Sequence, residues 1–418
     1  MKIENEELKG IIDLWDLKKE IKKEIFKLLD ENPALSPAHL FRYYVPEGKK
    51  DKVGQFEKEF AEKFGSKYAL AVNSGTSALI ASLIACGIGP GDEVIIPGYT
   101  FFATCSAVLV AKAIPVIAEI DETLTIDPDD IEKKITKYTK AIMPVHMRGL
   151  PSNMEKIMKM AKKYNLKVIE DCAQADGGSY KGKHLGTFGD AGCFSFDFYK
   201  IINTGEGGMV VTDDEKIYIR AQSWHDTAAC WRPNRYARER IPGELFYGEN
   251  YRMGQINAAI GLAQLKKLDS YLKKMRKNKK MLIESIGEVK RVKYAPVNDP
   301  EGECATNLVF LTERAEEAKK LMENLKKEKV PAGGIYDKDI RDWHIYKYWE
   351  HIIEKKTPTE EGCPFTCSYY KGKLPSYSED MCPNTLDILS RVLIIGISEN
   401  WKYKDIKEIA KKIKKYIN

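Results

Sequence analysis

From about residue 53, short apolar runs and amphipathic runs take turns along the chain. Tyr68–Val72, Glu93–Ile96, Pro115–Glu119, Ala141–Pro144 and Lys167–Asp171 read as strands. Thr76–Cys86, Phe101–Lys112, Asp127–Lys137 and Asn153–Tyr164 read as the helices between them. Strands this apolar cannot face water on either side. Joined through helices, they belong in a mainly parallel sheet covered on both faces, so the expected fold class is α/β. Ligands of such sheets gather at the carboxyl ends of the strands.

The chain has 418 residues, enough for a large and a smaller unit. Residues 13–30 carry Leu14, Leu17, Ile21, Ile25 and Leu28 at helical spacing, and an irregular segment follows to residue 50. The expected organisation is an N-terminal helix and lead-in segment (1–50), a large domain (51–285) and a small C-terminal α/β domain (286–418). A long helical stretch from Gly254 to Glu284 would link the last two. Val289–Tyr294, Asn307–Leu311, Ala315–Lys327 and a helix from Lys404 to Tyr416 would build the small domain, with 354–384 as an atypical loop within it.

A net charge of +6, without an arginine-rich arm or zinc-finger spacing, argues against nucleic acid. The N-terminus lacks an apolar signal core and no run reaches membrane-span length, so the expected location is cytoplasmic. The nine cysteines are scattered and read as reduced. Cys363, Cys367 and Cys382 have no clear fourth ligand, since His344 and His351 are distant in sequence, and no metal is expected.

The chemistry centres on Cys193-Phe-Ser-Phe-Asp-Phe-Tyr-Lys200, which leads into Gly205-Glu-Gly-Gly208 and the apolar run Met209–Thr212. Phe194, Phe196, Phe198 and Tyr199 would strip water from the Lys200 amine, the condition an imine-forming lysine needs. A surface lysine in a βαβ loop is the plain alternative. Four further features fall at strand ends. Asn73-Ser-Gly75-Thr76-Ser-Ala78 offers N–H groups at a helix start, a phosphate cradle or an ordinary N-cap. Asp171 closes a buried strand, where a carboxylate needs a partner such as a protonated ring nitrogen, or caps the next helix. Phe101 in Pro97-Gly-Tyr-Thr-Phe101 could stack on a flat ring or fill the core. Asn250-Tyr-Arg-Met253 sets an amide and an arginine before a helix of small residues. Together these describe a phosphate, a flat ring, a ring nitrogen needing an anion and an aldehyde needing a lysine, the features of pyridoxal 5′-phosphate.

Gly75-Thr76, Glu170-Asp171-Cys-Ala-Gln174, Ser195-Phe-Asp-Phe-Tyr-Lys200, Gly205-Glu-Gly-Gly208 and Asn250-Tyr-Arg-Met253, in this order, resemble the motifs of the DegT/StrS sugar aminotransferases. These are fold-type I enzymes that use pyridoxal 5′-phosphate. The resemblance runs from about residue 50 to the C-terminus. It implies that Lys200 holds the cofactor and shuttles a proton, and that Asp171 keeps the pyridine nitrogen protonated. Gln174 would contact the ring hydroxyl, Phe101 would stack on the ring, and Gly75, Thr76 and Ser195 would bind the phosphate. Asn250 would reach the phosphate of the partner in a homodimer with shared sites. The related sugar dehydratases carry histidine where this chain has Lys200, so amino transfer is the expected activity. A regulatory protein that keeps the fold and has lost the chemistry is a further alternative.

Within the family, Gly91-Asp-Glu-Val-Ile-Ile-Pro97, Ala118–Leu124, Pro144-Val-His146-Met147, Gly178–Gly186, Trp343-His344 and Phe41-Arg42-Tyr43 look most similar to the aminotransferases that make 8-amino-3,8-dideoxy-manno-octulosonate. That likeness implies glutamate as donor and an oxidised, acidic octulosonate as acceptor. Arg42, His146, Arg148, Arg232 and His344 are the candidate substrate residues, with Arg235 and Arg238 nearby. Nucleotide-linked keto sugars are the alternative acceptors. Residues 225–245, which carry Trp231, Arg232, Arg235, Arg238 and Arg240, and the Cys363–Cys382 loop depart from the pattern.

Overall fold

The structure is a computed structural model describing residues 3–228, 238–240 and 242–418. The five expected strands are β1 (Tyr68–Val72), β2 (Glu93–Pro97), β3 (Ile114–Ala118), β4 (Thr139–Ile142) and β5 (Lys167–Asp171). A small hairpin, β6 (Ser179–Tyr180) and β7 (Lys183–His184), precedes β8 (Ala191–Ser195) and β9 (Gly208–Thr212). The seven longer strands form one sheet in the order β1-β9-β8-β5-β4-β2-β3. β9 is antiparallel to both its neighbours and every other pair in the sheet is parallel. The mainly parallel α/β sheet read from the sequence is therefore present.

Helices α1 (Asn5–Ile12), α2 (Lys19–Glu31), α3 (Lys52–Phe64), α4 (Gly75–Ala85), α5 (Ala103–Val110), α6 (Pro128–Lys134), α7 (Met154–Tyr164), α8 (Glu215–His225) and α9 (Gln255–Leu265) accompany it. Two apolar cores explain why the strands read as unbroken hydrophobic runs. Ile95 packs into a core with Phe56, Phe60, Met154 and Phe194, whereas its neighbours Val94 and Ile96 pack into another with Leu79, Leu83 and Val108. Successive side chains of a strand point to opposite faces, so a sheet covered on both sides needs apolar residues at every step. α4 is buried almost all round, and nine of its eleven residues are inaccessible.

A second sheet is antiparallel, in the order β10 (Lys293–Tyr294), β11 (Asn307–Leu311), β13 (Val392–Gly396), β12 (Ala332–Gly333). Its core combines Phe310 and Leu393 with Leu282 of α10 (Leu268–Ile286), Leu325 of α11 (Ala315–Lys327) and, beyond α12 (Glu350–Ile353) and α13 (Pro383–Ser390), Ile413 of α14 (Tyr403–Ile417).

Several local expectations are corrected. The stretch Gly254–Glu284 is two helices, α9 and α10, divided at Lys266–Lys267. The helix expected from residue 13 starts at Lys19, and its apolar stripe stays open, with Ile21 and Leu28 about half exposed. The helix expected from Phe101 starts at Ala103, because Gly98 O and Thr100 N are bonded to Tyr346 N and His344 O. The 354–384 loop does not join the small sheet. Phe365, Tyr370, Tyr377 and Cys382 pack with Val94 and Ile117 of the large one. Polar tips anchor them there, Tyr370 donating to Glu93 (2.5 Å) and Tyr377 to Pro115 O (2.7 Å).

Arg42, expected at the substrate, is instead a structural cation. It is buried, with Nη2 2.5 Å from Glu57 Oε2, and Glu57 Oε1 accepts the Ala71 N–H of β1 at 2.8 Å. The pair ties the lead-in segment to α3 and the sheet edge. Burial pushes the Glu57 carboxyl up, with Arg42 opposing. Arg42→Ala should therefore lower unfolding stability by about 3–5 kcal/mol, since it strands a buried carboxylate. Burial makes the folded form hold a proton on Glu57 more tightly than the unfolded chain does, so acidification relieves the stranded charge. Denaturant unfolding should show the deficit largest at neutral pH and shrinking as the pH falls toward the ordinary carboxyl value of 4.5. An equal deficit at every pH would count against this.

Candidate active site

A cavity of about 730 Å³ opens at the carboxyl edge of the large sheet. Segments following β1, β2, β4, β5 and β8 line it, as expected of a ligand site in such a sheet. Because β9 is reversed, it begins where those strands end. The loop from β8 to β9, bearing Lys200, therefore closes the same side.

The floor comes from β5. Asp171 is buried, its Oδ2 accepting from Thr104 Oγ1 (2.8 Å) and Oδ1 from Ala173 N (3.0 Å). Burial pushes its carboxyl up, against those two hydrogen bonds and the positive charge of Lys200. Thr100 Oγ1 lies 2.7 Å from Thr104 Oγ1 and extends the chain of hydroxyls. The preceding residue, Glu170, faces the opposite way.

The start of α4 forms one wall. Ser74 caps it by accepting from Ser77 N, and Ser77 Oγ bonds Asn73 Oδ1 at 2.6 Å. The N–H groups of Gly75 and Thr76 have no acceptor among the described residues. A Cβ on Gly75 would lie 2.5 Å from Ser195 Cβ, so only glycine lets these two segments meet. Gln174 accepts Arg148 N at 2.9 Å through Oε1. Phe101 is half exposed at the mouth, its ring centroid 5.2 Å from that of His344.

Lys200 reaches into the cavity with its amine 3.4 Å from Asp197 Oδ2. The expected aromatic screen around it is corrected. Phe194 and Phe196 point away into the core, with rings 5.0 Å from Phe60 and 5.4 Å from Phe56. Phe198 and Tyr199 stand largely in solvent. Strand alternation is the cause, because it turns Ser195 to the cavity and both neighbours to the opposite face.

The cavity brings together Gly75, Thr76, Phe101, Arg148, Asp171, Gln174, Ser195, Lys200 and His344 of the expected site. His146 is not among them. It is buried, with Nδ1 accepting from Ser152 N and Nε2 3.1 Å from Glu170 Oε2, and both ring nitrogens are used in the core. Glu170 also accepts from Gly186, Phe188 and Gly189 N–H groups. His146, Glu170 and Cys172 could geometrically hold a metal, but these bonds account for the first two as a structural network. Asn250 lies on the exposed surface outside its own chain's cavity, accepting from Arg252 N at 3.3 Å. Arg232 and Arg235 fall outside the described residues, and Arg238 is exposed. The sequence reading missed Thr104, Asp197, Tyr99 and Asn307. Tyr99, just past the end of β2, and Thr104, in the first turn of α5, lie close to Phe101 in the sequence and could have been flagged with it; Asn307, from the second sheet, carried no signal.

The profile of the DegT/DnrJ/EryC1/StrS aminotransferase family matches residues 47–368. The chain belongs to this family. It is 45% identical over 237 residues to a GDP-perosamine synthase of Escherichia coli O157:H7, covering 54% of this chain and 60% of that protein. The chain thus spans under two thirds of the length of the curated relatives it matches. Among solved structures, 3-amino-5-hydroxybenzoic acid synthase superposes with a TM-score of 0.70 at 28% identity, covering 88% of this chain and 91% of that one. NtdA of Bacillus subtilis, with bound cofactor PMP, gives 0.68 at 26% identity, covering 96% and 83%.

Pyridoxal 5′-phosphate is the cofactor of this DegT-family chain, and the cavity fits it. The Gly75 and Thr76 N–H groups at a helix start suit a phosphate. A Cβ at position 75 would collide with Ser195, so this wall of the cradle keeps its shape only with glycine there. Asp171 is a buried acid without an ion-pair partner among the described residues, a counter-charge for a ring N–H. Gly75→Ala should therefore weaken cofactor retention roughly ten- to a hundredfold, as overpacking of a tight contact does. Cofactor titration followed by absorbance, beside a melting curve, measures this; unchanged affinity would remove Gly75 from the cradle.

Proposed function

We propose that this protein is an aminotransferase that moves an amino group from an amino acid, glutamate being the expected donor, to a keto sugar carried on a nucleotide. The observation that carries the reading is the convergence of Lys200, Asp171 and the α4 N–H groups on one cavity. The acceptor preference departs from the sequence expectation. Motif likeness and a local excess of arginine point to a free acidic octulosonate, but Arg42 is buried against Glu57, and His146 of one of the likeness motifs is buried in the core. The relatives named GDP-perosamine synthase support a nucleotide-linked sugar instead.

Bound pyridoxal 5′-phosphate supplies an aldehyde that captures amines and a conjugated ring that takes up the electron pair released at the substrate carbon. The protein's residues do the rest. Gly75, Thr76 and Ser195 bind the phosphate. Asp171, oriented by Thr104 and Ala173, holds the proton on the ring nitrogen. With the cofactor bound, the Lys200 amine would be the base that takes a proton from, or returns one to, the substrate carbon. Gln174 orients the ring hydroxyl, and Phe101 shields one face of the ring from water. Asp197 beside Lys200 gives its amine a resting partner.

The working unit is a homodimer. Phe101, Phe198 and Tyr199 are exposed at the cavity mouth, and a second copy would cover such aromatics. Asn250, exposed and outside the lining of its own cavity, is then available to the partner's phosphate site.

Lys200→Ala should abolish transfer and lose the lysine-linked absorbance while still binding the cofactor. Asp171→Asn should keep the fold and lower the rate roughly a hundred- to a thousandfold, as loss of one electrostatic catalytic group does. The acceptor is tested by offering a GDP-linked keto sugar and a free acidic keto sugar with glutamate and following the amino product; turnover of only the free acid would overturn the acceptor class. For the dimer, Lys200→Ala is mixed with an Asn250 variant defective in phosphate binding. Recovered activity after subunit exchange is expected, and none despite proven exchange would place the site within one subunit.

A further inference from the structure

We infer that Arg148 binds a carboxylate in the cavity, that of the amino-acid donor, and so selects what may deliver the amino group. The inference rests on the aminotransferase reading. Arg148 lines the cavity that holds Lys200 and Asp171, and its backbone sits in the left-handed region at φ 56° and ψ 25°. A non-glycine residue there needs support from its surroundings. Two bonds supply it: Arg148 N donates to Gln174 Oε1 at 2.9 Å, and Arg148 O accepts from Thr306 Oγ1 at 2.9 Å. The side chain is braced as well, because Nε donates to the buried Tyr99 hydroxyl at 2.6 Å.

The Nε bond engages one edge of the guanidinium and leaves its terminal pair of nitrogens without an acceptor among the described residues. Asp342, an acid close enough for its charge to act on Arg148, is turned to His344 Nδ1 at 2.7 Å. An arginine held by its backbone and by Nε, with the outer fork open, is prepared for a planar two-oxygen anion. The amino-acid donor brings such a group next to the amine it surrenders. An acidic keto sugar would bring the same group, and the test separates these two sources.

The cofactor-loaded protein is compared with Arg148→Gln, Arg148→Lys and Tyr99→Phe, each checked by melting curve and cofactor absorbance. Glutarate, a dicarboxylate without an amine, is titrated and its binding read from the cofactor spectrum and by calorimetry. L-Glutamate is then used in the first half-reaction, and keto sugars with and without a carboxylate in the second. We expect the half-saturating glutarate and glutamate concentrations to rise roughly ten- to a hundredfold in Arg148→Gln, as when a bond to a charged group is lost. The limiting rate should change little, Arg148→Lys should recover part of the loss, and Tyr99→Phe should show a smaller rise. A rise confined to the acidic sugar would overturn the donor assignment in favour of an acceptor carboxylate. Unchanged half-saturation for all carboxylates, or no glutarate binding by the unaltered protein, would overturn the inference. Should no donor react with the unaltered protein, the aminotransferase reading fails, while glutarate binding still decides Arg148. If Arg148→Gln does not hold its cofactor, the lysine and phenylalanine variants decide the matter by the same titration.

Discussion

Two adjacent carboxylates at the end of β5 point to opposite sides of the sheet, and the site depends on the difference between them. Glu170 is fully engaged, by three backbone N–H groups and the ring of His146. It draws the 186–189 turn and the segment after β4 onto the back of the strand. Asp171 faces the cavity with only a threonine hydroxyl and one N–H. Burial raises its carboxyl, so a positive group standing before it would stabilise its anion. The same strand thus offers one acid saturated by the fold and one that a bound group must complete.

Topology brings the lysine to that acid. In a sheet with every strand parallel, the chain leaving β8 would cross over and return at the far edge. Here it turns back directly into β9, and the turning segment stays above the carboxyl ends. Close approach makes this possible. A Cβ on Gly208 would lie 2.4 Å from the Ser74 carbonyl, so the glycine lets the start of β9 press against the cap of α4. The phosphate cradle at α4 and the Lys200 loop are held together through that contact.

The gathering of Asp171, Gly75 and Lys200 at one cavity was legible in the sequence because it follows from local rules, whereas their cofactor roles are what the family resemblance implies. Strand ends, a helix start rich in small residues and a glycine turn each carry their own signature, and together they located Asp171, Gly75 and Lys200. Other readings failed where tertiary packing decided the matter. Arginine at position 42 looks the same in sequence whether it meets a substrate or Glu57. Histidine 146 beside a strand end gave no sign that both its nitrogens were taken. The four aromatics around Lys200 suggested a screen, but alternation along β8 sends Phe194 and Phe196 the other way. The aromatic loop after residue 354 was assigned by sequence order to the second unit, yet its tyrosines reach hydrogen-bond acceptors on β2 and β3.

The parts hardest to read are those most suited to choosing a substrate. Asn307 begins β11 of the second sheet with Thr306 just before it, and His344 belongs to the segment bonded to Tyr99 and Thr100. These walls come from distant points in the chain and meet only after both sheets have formed. Arg148 stands where they join, its carbonyl bonded to Thr306 and its side chain to Tyr99. Residues that hold a cofactor answer to its fixed chemistry and sit on rigid strand ends. Residues that face the substrate can vary with little effect on either core, because they lie on connections between elements. A family motif therefore speaks for the first set and not the second, and the acceptor must be argued from the cavity walls.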